Sequence, residues 1–146
     1  MIEISEISSL ETFKVRHPVL RTGKPLESCR FDGDELATTK HFGLFENEIL
    51  AGVISVFKQT NDAFADGNQF QIRGMAVLEN FRKRGLGEQL VVHVEDYVNG
   101  QNGKLIWFNA REVALKFYAN LGYEIIGSAF EIPDVGTHYM MYKILD

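Results

Sequence analysis

The segment Gln71-Ile72-Arg73-Gly74-Met75-Ala76-Val77-Leu78 is largely apolar and predicts a β-strand. It leads into a turn with three consecutive cations and two glycines, Glu79-Asn80-Phe81-Arg82-Lys83-Arg84-Gly85-Leu86-Gly87. Beyond the turn, apolar residues recur at helical spacing: Leu86, Leu90, Val91, Val94 and Val98. These patterns predict a strand, a cationic turn and an amphipathic helix that extends to Asn99.

The turn has the properties of an anion-binding site. The first main-chain N–H groups of a helix lack intrahelical partners, and the helix dipole adds partial positive charge there. Gly85 and Gly87 carry no Cβ, so a phosphate can approach the main chain closely. Formal positive charge is added by Arg82, Lys83 and Arg84. We therefore expect a diphosphate ligand at this turn.

Two other phosphate-binding loops do not fit the turn. It lacks the Gly-Lys-Ser/Thr ending of a Walker loop, and Leu90 stands where a dinucleotide-binding fingerprint has its third glycine. The pattern that is present is Arg82-x-x-Gly85-x-Gly87. The alternative, a tight loop with a solvated basic corner and no ligand, stays open at this point.

Composition limits the class of protein. The chain has 146 residues, of which 45% are hydrophobic, which suits one domain (1–146) with its own core. A net charge of −5 argues against a nucleic-acid partner. The single Cys29 cannot form an internal disulfide, no apolar run reaches the length of a membrane span, and the first residues do not resemble a secretory signal. We expect a cytoplasmic protein with no membrane partner.

The remaining patterns predict a mixed sheet with helices on it, in the α+β or mixed α/β class. The expected strands are 1–4, 41–46, 49–57, 70–78, 105–108, 123–130 and 138–144. The expected helices are 9–20, disturbed by Pro18, then 86–99 and 112–120. Asn47-Glu48 predicts a hairpin turn, and 21–40 predicts a long polar loop.

A second motif follows the predicted strand 105–108. Its positions are Asn109, Ala114, the pair Phe117-Tyr118 and the closing Leu121-Gly122-Tyr123. Together with Arg82-x-x-Gly85-x-Gly87, this motif resembles the GNAT superfamily of N-acetyltransferases. The two matches lie in the family's order over residues 71–125. The resemblance implies the acyl-CoA N-acyltransferase fold, with a twisted, mostly antiparallel mixed sheet of about six to seven strands.

The resemblance also implies an acetyltransferase that uses acetyl-CoA as co-substrate and requires no metal. The pantetheine arm would lie along 74–78 like an added strand, bonded to the main chain of Met75 and Val77. The residues that would bind the cofactor are Met75, Ala76, Val77, Arg82, Lys83, Arg84, Gly85, Leu86, Gly87, Asn109 and Tyr118.

Three chemical roles follow for direct attack of an amine on the thioester. Tyr118 matches the family position that protonates the departing thiolate, and an N–H within 75–77 would stabilise the oxyanion. The general base is open, because 70–78 contains no carboxylate. The candidates are Glu131 and His138, then His41 or a chain of waters. Residues 130–138 resemble a closing segment of some small bacterial relatives, which favours the first two.

Each site residue also has a purely structural interpretation. Tyr118 could be a packed aromatic whose hydroxyl is bonded to a carbonyl, and Asn109 could cap the following helix. Phe117 is expected in the core. The strand-end histidines could be partly exposed residues without a catalytic role.

The acceptor expected from the resemblance is a primary amine of a small molecule, bound by residues 16–40. Four acids of that loop could attract a cationic amine or form a solvated face: Glu27, Asp32, Asp34 and Glu35. The alternatives are a protein N-terminal or lysine acetyltransferase, a non-catalytic acyl-CoA sensor, or a general nucleotide-binding module. A homodimer is a further possibility.

Overall fold

A mixed seven-stranded sheet runs through residues 1–145, the part of the chain that the computed structural model describes. Its strands are β1 (Ile2–Ile7), β2 (Lys40–Glu46), β3 (Ile49–Lys58), β4 (Gln69–Val77), β5 (Leu105–Arg111), β6 (Glu124–Ile132) and β7 (Gly136–Ile144). The α-helices are α1 (Ser9–Leu20), α2 (Leu86–Gly100) and α3 (Leu115–Ala119).

The strand order is β1-β2-β3-β4-β5-β7-β6. Of the neighbouring pairs among these strands, β4 and β5 are parallel and the others are antiparallel. A parallel pair needs a crossover connection, and α2 provides it. The structure thus confirms the predicted mixed, mostly antiparallel sheet with helices on it.

The two long helices lie on opposite faces of the sheet. The apolar side of α2 packs with Ile54 and Ile72, whereas Val15 of α1 packs with Val53 and Ala76. Neighbouring residues of a strand point to opposite faces of the sheet, so Val53 packs against α1 and Ile54 packs against α2. The residues of α2 that the period of four predicts are all buried: Leu86, Leu90, Val91, Val94 and Val98.

The predicted hairpin at Asn47-Glu48 is confirmed. Both residues have positive φ, 49° and 70°, as a type I′ turn requires, and they join β2 to β3. The long loop between α1 and β2 contains one 3-10 turn, Leu26–Cys29.

Three elements differ from their prediction. β1 extends to Ile7 because it pairs with β2 along its whole length, which an apolar pattern cannot indicate. Helix α1 runs through Pro18 to Leu20, and Leu10 is 62% exposed, while Thr12 and Arg16 are buried instead. The apolar pattern therefore predicted the bounds of this helix and its buried Val15, but not the burial of Thr12 and Arg16 or the exposure of Leu10.

The third difference is the predicted helix 112–120. It is a 3-10 turn, Glu112–Ala114, followed by the short α3. Val113 is 90% exposed, and of the first turn only the small Ala114 packs against the core. Tertiary packing supplies most helical stability in proteins, and this turn receives little of it. No helix in residues 1–145 has both the length and the apolar character needed to cross a membrane.

Candidate active site

A slot opens where β4 and β5 diverge. The two strands pair only from Gln69↔Leu105 to Gln71↔Trp107, although β4 continues to Val77 and β5 to Arg111. Leu78 donates its main-chain N–H to the Ala51 carbonyl at 2.8 Å, on the β3 side. Because N–H directions alternate along a strand, the N–H of Val77 points away from β3, into the slot.

A β-bulge in β4 produces the divergence. Ser55 pairs with Arg73 and Val53 with Ala76, so β4 has two residues where β3 has one. One of the two is Gly74, whose φ is +67°, a left-handed conformation that favours glycine. Bulges bend their strand and increase its twist. This bend turns the second half of β4 away from β5.

The slot is part of a cavity of about 970 Å³. The structure brings most of the predicted site residues to its wall: Met75, Ala76, Val77, Arg82, Lys83, Gly85, Leu86, Gly87, Asn109, Tyr118 and His138. Three predicted residues do not line it: Arg84, Glu131 and the further candidate base His41. The chain thus places segments that are far apart in sequence around one opening.

One end of the cavity is the N-terminus of α2. Gly85 occupies the N-cap position with φ +77°, and no side chain of residues 1–145 caps the helix. The amides of the first turn, beginning with Leu86, therefore face the cavity without a protein partner. Arg82 is anchored by an Nε bond to the Val77 carbonyl at 3.0 Å, and Lys83 has φ +63°. This geometry fits the predicted anion site.

Arg84 has a different role from the other two cations of the turn, Arg82 and Lys83. Its guanidinium forms a two-pronged ion pair with Glu46 at the end of β2. The hydrogen bonds of this pair raise the pKa of Arg84 and lower that of Glu46. The Arg84 side chain therefore attaches the loop to the sheet, outside the cavity.

Tyr118 forms part of the inner wall of the slot. Its ring packs against Phe108, Phe117 and Tyr123 at centroid distances of 4.3, 4.9 and 6.1 Å. Burial raises the pKa of Tyr118 to about 12, so the phenol is protonated at neutral pH.

The Tyr118 hydroxyl has no hydrogen-bond partner in residues 1–145, so the interpretation as a packed, carbonyl-bonded tyrosine is not met. In that same range, Arg16 Nε is the one enclosed side-chain polar atom without a partner. The phenol oxygen is therefore not sealed in the core, and the cavity is the space it reaches.

Asn109 lies within β5 and lines the cavity with its exposed side chain. The 3-10 turn that follows begins after Arg111 and α3 begins after Ala114, and neither has a side-chain cap from the described residues. The capping interpretation of Asn109 therefore does not hold.

Of the two preferred candidate bases, His138 lines the cavity and Glu131 does not. His138 is buried and lines the cavity, and its Nδ1 lies 2.8 Å from the Gly136 carbonyl. A carbonyl only accepts, so Nδ1 donates and a neutral ring keeps its lone pair on Nε2. Glu131 is exposed, and its carboxylate accepts a hydrogen bond from Thr137 on the neighbouring strand.

His41 is committed to the interior. Its Nε2 lies 2.9 Å from the Asp34 carbonyl and its Nδ1 lies 2.6 Å from Ser55 Oγ. Both ring nitrogens are thus occupied, with Nε2 donating and Nδ1 accepting in the neutral ring. His41 does not line the cavity.

The four acids of the loop do not line the cavity. Asp34 is buried in a two-pronged pair with Arg16, at 2.7 and 3.1 Å. Glu35 accepts a hydrogen bond from Ser9. A smaller concavity on the loop is lined by all four acids, Glu27, Asp32, Asp34 and Glu35. The loop contributes to the main cavity through Arg21 and Phe31 instead.

The predicted acceptor range 16–40 includes the cavity-lining residues Arg21 and Phe31, although neither was named as a site residue. Two further charged residues of the cavity wall, Arg73 and Arg111, were not predicted. One of them had a usable signal, since Arg73 is a charged residue inside the otherwise apolar segment 72–78. Arg21 and Phe31 belong to the polar loop, where sequence pattern does not indicate direction.

The site combines diverging parallel strands, an uncapped helix N-terminus with cations beside it, and a protonated phenol. This arrangement is expected of an acyltransferase that uses acyl-coenzyme A as its acyl donor. The comparisons agree with that class. The model of the acetyltransferase (GNAT) family matches residues 5–123. The chain belongs to the GNAT family and is an acyltransferase.

Similar proteins extend over nearly the whole chain. An uncharacterized N-acetyltransferase of Bacillus subtilis (strain 168), YitI, is 32% identical over 145 residues, 99% of this chain and 97% of that protein. An aminoglycoside 6'-N-acetyltransferase complexed with coenzyme A is similar with a TM-score of 0.78 at 16% identity, covering 97% and 96% of the two chains. NAA60 of Arabidopsis thaliana in complex with acetyl-CoA gives a TM-score of 0.77 at 14% identity, with 99% of each chain covered.

Proposed function

We propose that this chain transfers the acetyl group of acetyl-CoA to a primary amine of a small molecule, by direct attack within a ternary complex. The observation that carries the proposal is the divergence of β4 from β5. The slot between the two strands leads to the uncapped N-terminus of α2. The slot exposes the Val77 main chain, and an extended pantetheine arm can add to a free strand edge there.

The diphosphate would bind at the other end of the same arm. Arg82, Lys83 and the first residues of α2, Leu86 and Gly87, line that end of the cavity, which supports this placement. A Cβ on Gly87 would lie 3.3 Å from Phe117 and 3.5 Å from Met75, so the channel is narrow beside the loop. Glycine at this position keeps the passage open to the arm.

The reacting groups are supplied from two sides. His138 Nε2 would take a proton from the attacking amine, because its lone pair is the one not used by Gly136. An N–H of the strand 75–77 would stabilise the oxyanion.

Tyr118 would donate its proton to the departing sulfur. The C–S bond breaks as the amide forms, and the thiolate receives the phenolic proton. A low-polarity slot disfavours a free thiolate as much as a phenolate, which raises the proton affinity of the sulfur. The protonated state of Tyr118 at neutral pH fits this role.

Acetyl transfer is tested by incubating the protein with acetyl-CoA and a panel of small amines. We expect release of the coenzyme A thiol and the mass increase of one acetyl group on at least one amine. Calorimetry with coenzyme A and with ATP gives an independent readout. Tight acetyl-CoA binding without transfer to any amine would favour a sensor, and preference for ATP would favour a general nucleotide-binding module.

A further inference from the structure

Three guanidinium groups surround one aromatic ring at the end of the cavity that lies away from the α2 N-terminus. The Cζ atoms of Arg16, Arg73 and Arg21 lie 3.9, 4.9 and 5.3 Å from the centroid of Phe31. Arg21, Arg73 and Phe31 line the cavity. The aliphatic side chains of Val19 and Leu20 lie beside them on the same wall.

Only one of the three charges is neutralised within residues 1–145. Asp34 pairs with Arg16, which is fully buried. Arg21 bonds to the carbonyls of Leu20 and Ser28, at 3.1 and 3.2 Å. Arg73 makes a long contact of 3.4 Å with the Asp32 carbonyl. Neither Arg21 nor Arg73 has a carboxylate oxygen of the described chain within ion-pair distance.

The pKa of Arg73 is lowered in these surroundings. Its burial lowers the pKa of the guanidinium, and the charges of Arg16 and Arg21 act in the same direction. The carboxylates of Asp34 and Asp32 oppose the shift without cancelling it. Because Arg73 is a half-buried cation with like charges beside it, an anion bound at this position would have a favourable electrostatic interaction with it.

The described wall of the cavity offers no such anion at this end. Its one carboxylate is Glu88, on the first turn of α2 at the opposite end. The acids that the sequence suggested as a site for a cationic amine line a separate concavity. The charge of the acceptor end is therefore opposite to that expected from the loop composition.

We propose that the acceptor is an amine that also carries a carboxylate, and that Arg21 and Arg73 bind this carboxylate above the Phe31 ring. The planar forks of guanidinium groups match carboxylate geometry, and two of them can hold both oxygens. Arg73 precedes Met75 on β4, with only the bulge residue Gly74 between them, so the carboxylate site lies next to the strand segment 75–77 that would hold the thioester. The amine and the carboxylate of the acceptor are therefore separated by only a few bonds, as in small amino acids. This substrate class rests on the proposed acetyl transfer.

The test compares matched amines that differ only in the carboxylate. The pairs are glycine and glycinamide, β-alanine and β-alaninamide, and phenylalanine and phenylalaninamide, with phosphoethanolamine and ethanolamine as a phosphate pair. For the wild-type enzyme we expect kcat/KM at least about tenfold higher for the acid in one or more carboxylate pairs. Arg73→Gln and Arg21→Gln should reduce that ratio toward one, and Arg73→Lys should restore part of it.

Arg30→Gln is the matched control, because Arg30 is exposed on the same loop and does not line the main cavity. It should keep the wild-type ratio. A purely structural role of the arginines would lower kcat/KM for acid and amide alike, leaving the ratio unchanged, and would overturn the proposal.

The other outcomes are equally distinct. Amides accepted as well as acids, or phosphoethanolamine preferred over every carboxylate, would overturn the carboxylate proposal and leave acetyl transfer standing. Failure of all amines, charged and uncharged, would overturn the transfer itself. Because the ratio is measured on wild-type protein, the result does not depend on the folding of any variant.

Discussion

The ring and the hydroxyl of Tyr118 have different surroundings. Its ring is held by three aromatic neighbours, while its oxygen stays free of protein partners in the described chain. The packing fixes the direction of the hydroxyl, and the absence of a partner leaves its proton for a ligand. Rigid placement of a donor is what acid catalysis requires.

Tyr118→Phe should therefore lower kcat by about 100-fold while leaving acetyl-CoA affinity nearly unchanged. The ring and its packing remain, and only the proton donor is lost. Steady-state kinetics with the best acceptor and calorimetry with acetyl-CoA measure the two quantities separately.

An unaltered kcat would remove Tyr118 from the mechanism. Tyr139→Phe serves as the control, because Tyr139 lies on β7 and does not line the cavity. It removes the same hydroxyl from the same kind of side chain and should preserve both kcat and affinity.

At the scale of the element, the junction between β4 and α2 forms the site that we propose for the cofactor. The bulge at Gly74 bends the strand, and the left-handed Lys83 and Gly85 reverse the chain so that α2 starts at the slot. Each feature alone is a common turn or bulge. Their combination aligns a free strand edge with a helix N-terminus, which suits a ligand with a diphosphate at one end.

Gly85→Val should weaken acetyl-CoA binding by tenfold or more, roughly 1.4 kcal/mol or above. Gly85 lines the cavity, and a Cβ built on it meets no atom of residues 1–145 within 4 Å apart from its chain neighbours, so the added side chain would compete with a diphosphate for this open space. Calorimetry with acetyl-CoA measures the change.

The mutation also introduces backbone strain, since the φ of Gly85 is +77°. Gly127→Val has the matching strain at φ +80°, with equally open surroundings on β6 and away from the cavity. Both variants should lose similar unfolding free energy, but only Gly85→Val should lose affinity. Equal affinities for the two variants would place the diphosphate elsewhere.

At the scale of the molecule, one buried polar network joins three parts of the chain. Arg16 on α1 binds Asp34 and the Cys29 carbonyl of the loop, and it binds Ser55 on β3 at 3.0 Å. The network fixes the loop 21–40 against the sheet. It thereby positions Phe31, which lines the end of the cavity where we propose that the acceptor binds.

Asp34→Asn should reduce the unfolding free energy by about 3 kcal/mol at neutral pH, because it leaves the Arg16 charge buried and unpaired. Burial opposes ionisation of Asp34, but hydrogen bonds from Arg16 and the Phe31 N–H, with the Arg16 charge, hold its pKa below the usual range. Urea unfolding followed by the fluorescence of the single Trp107 measures the loss.

The pH dependence has a definite sign. A carboxyl with a lowered folded pKa contributes stability above its unfolded pKa, near 3.9, and loses it as the pH falls through the folded value. The difference between wild type and Asp34→Asn should thus narrow below about pH 4. Asp32→Asn, exposed on the same loop, should change stability by less than about 0.5 kcal/mol. A constant difference down to pH 3 would show that the Asp34 charge is not responsible.

Local patterns were sufficient for the elements that depend on near neighbours. The period-four repeat of α2, the hairpin at Asn47-Glu48 and the glycine-containing turn before α2 could all be predicted, because each is specified by residues within a few positions. The two motifs also indicated the family. The extension of β1 was not legible, since it depends on pairing with a strand about 40 residues away.

By itself, the sequence determined a mixed sheet with helices on it, the cationic turn before α2 and the family to which the chain belongs. Only the tertiary structure decided which titratable residues reach the cavity: it turned Arg84 toward Glu46, enclosed His41 and Asp34, and brought Arg21 beside Arg73. The physical reason is that periodicity and short motifs encode backbone conformation over a few residues. The direction and partner of a charged side chain depend instead on contacts between segments that are distant in the chain.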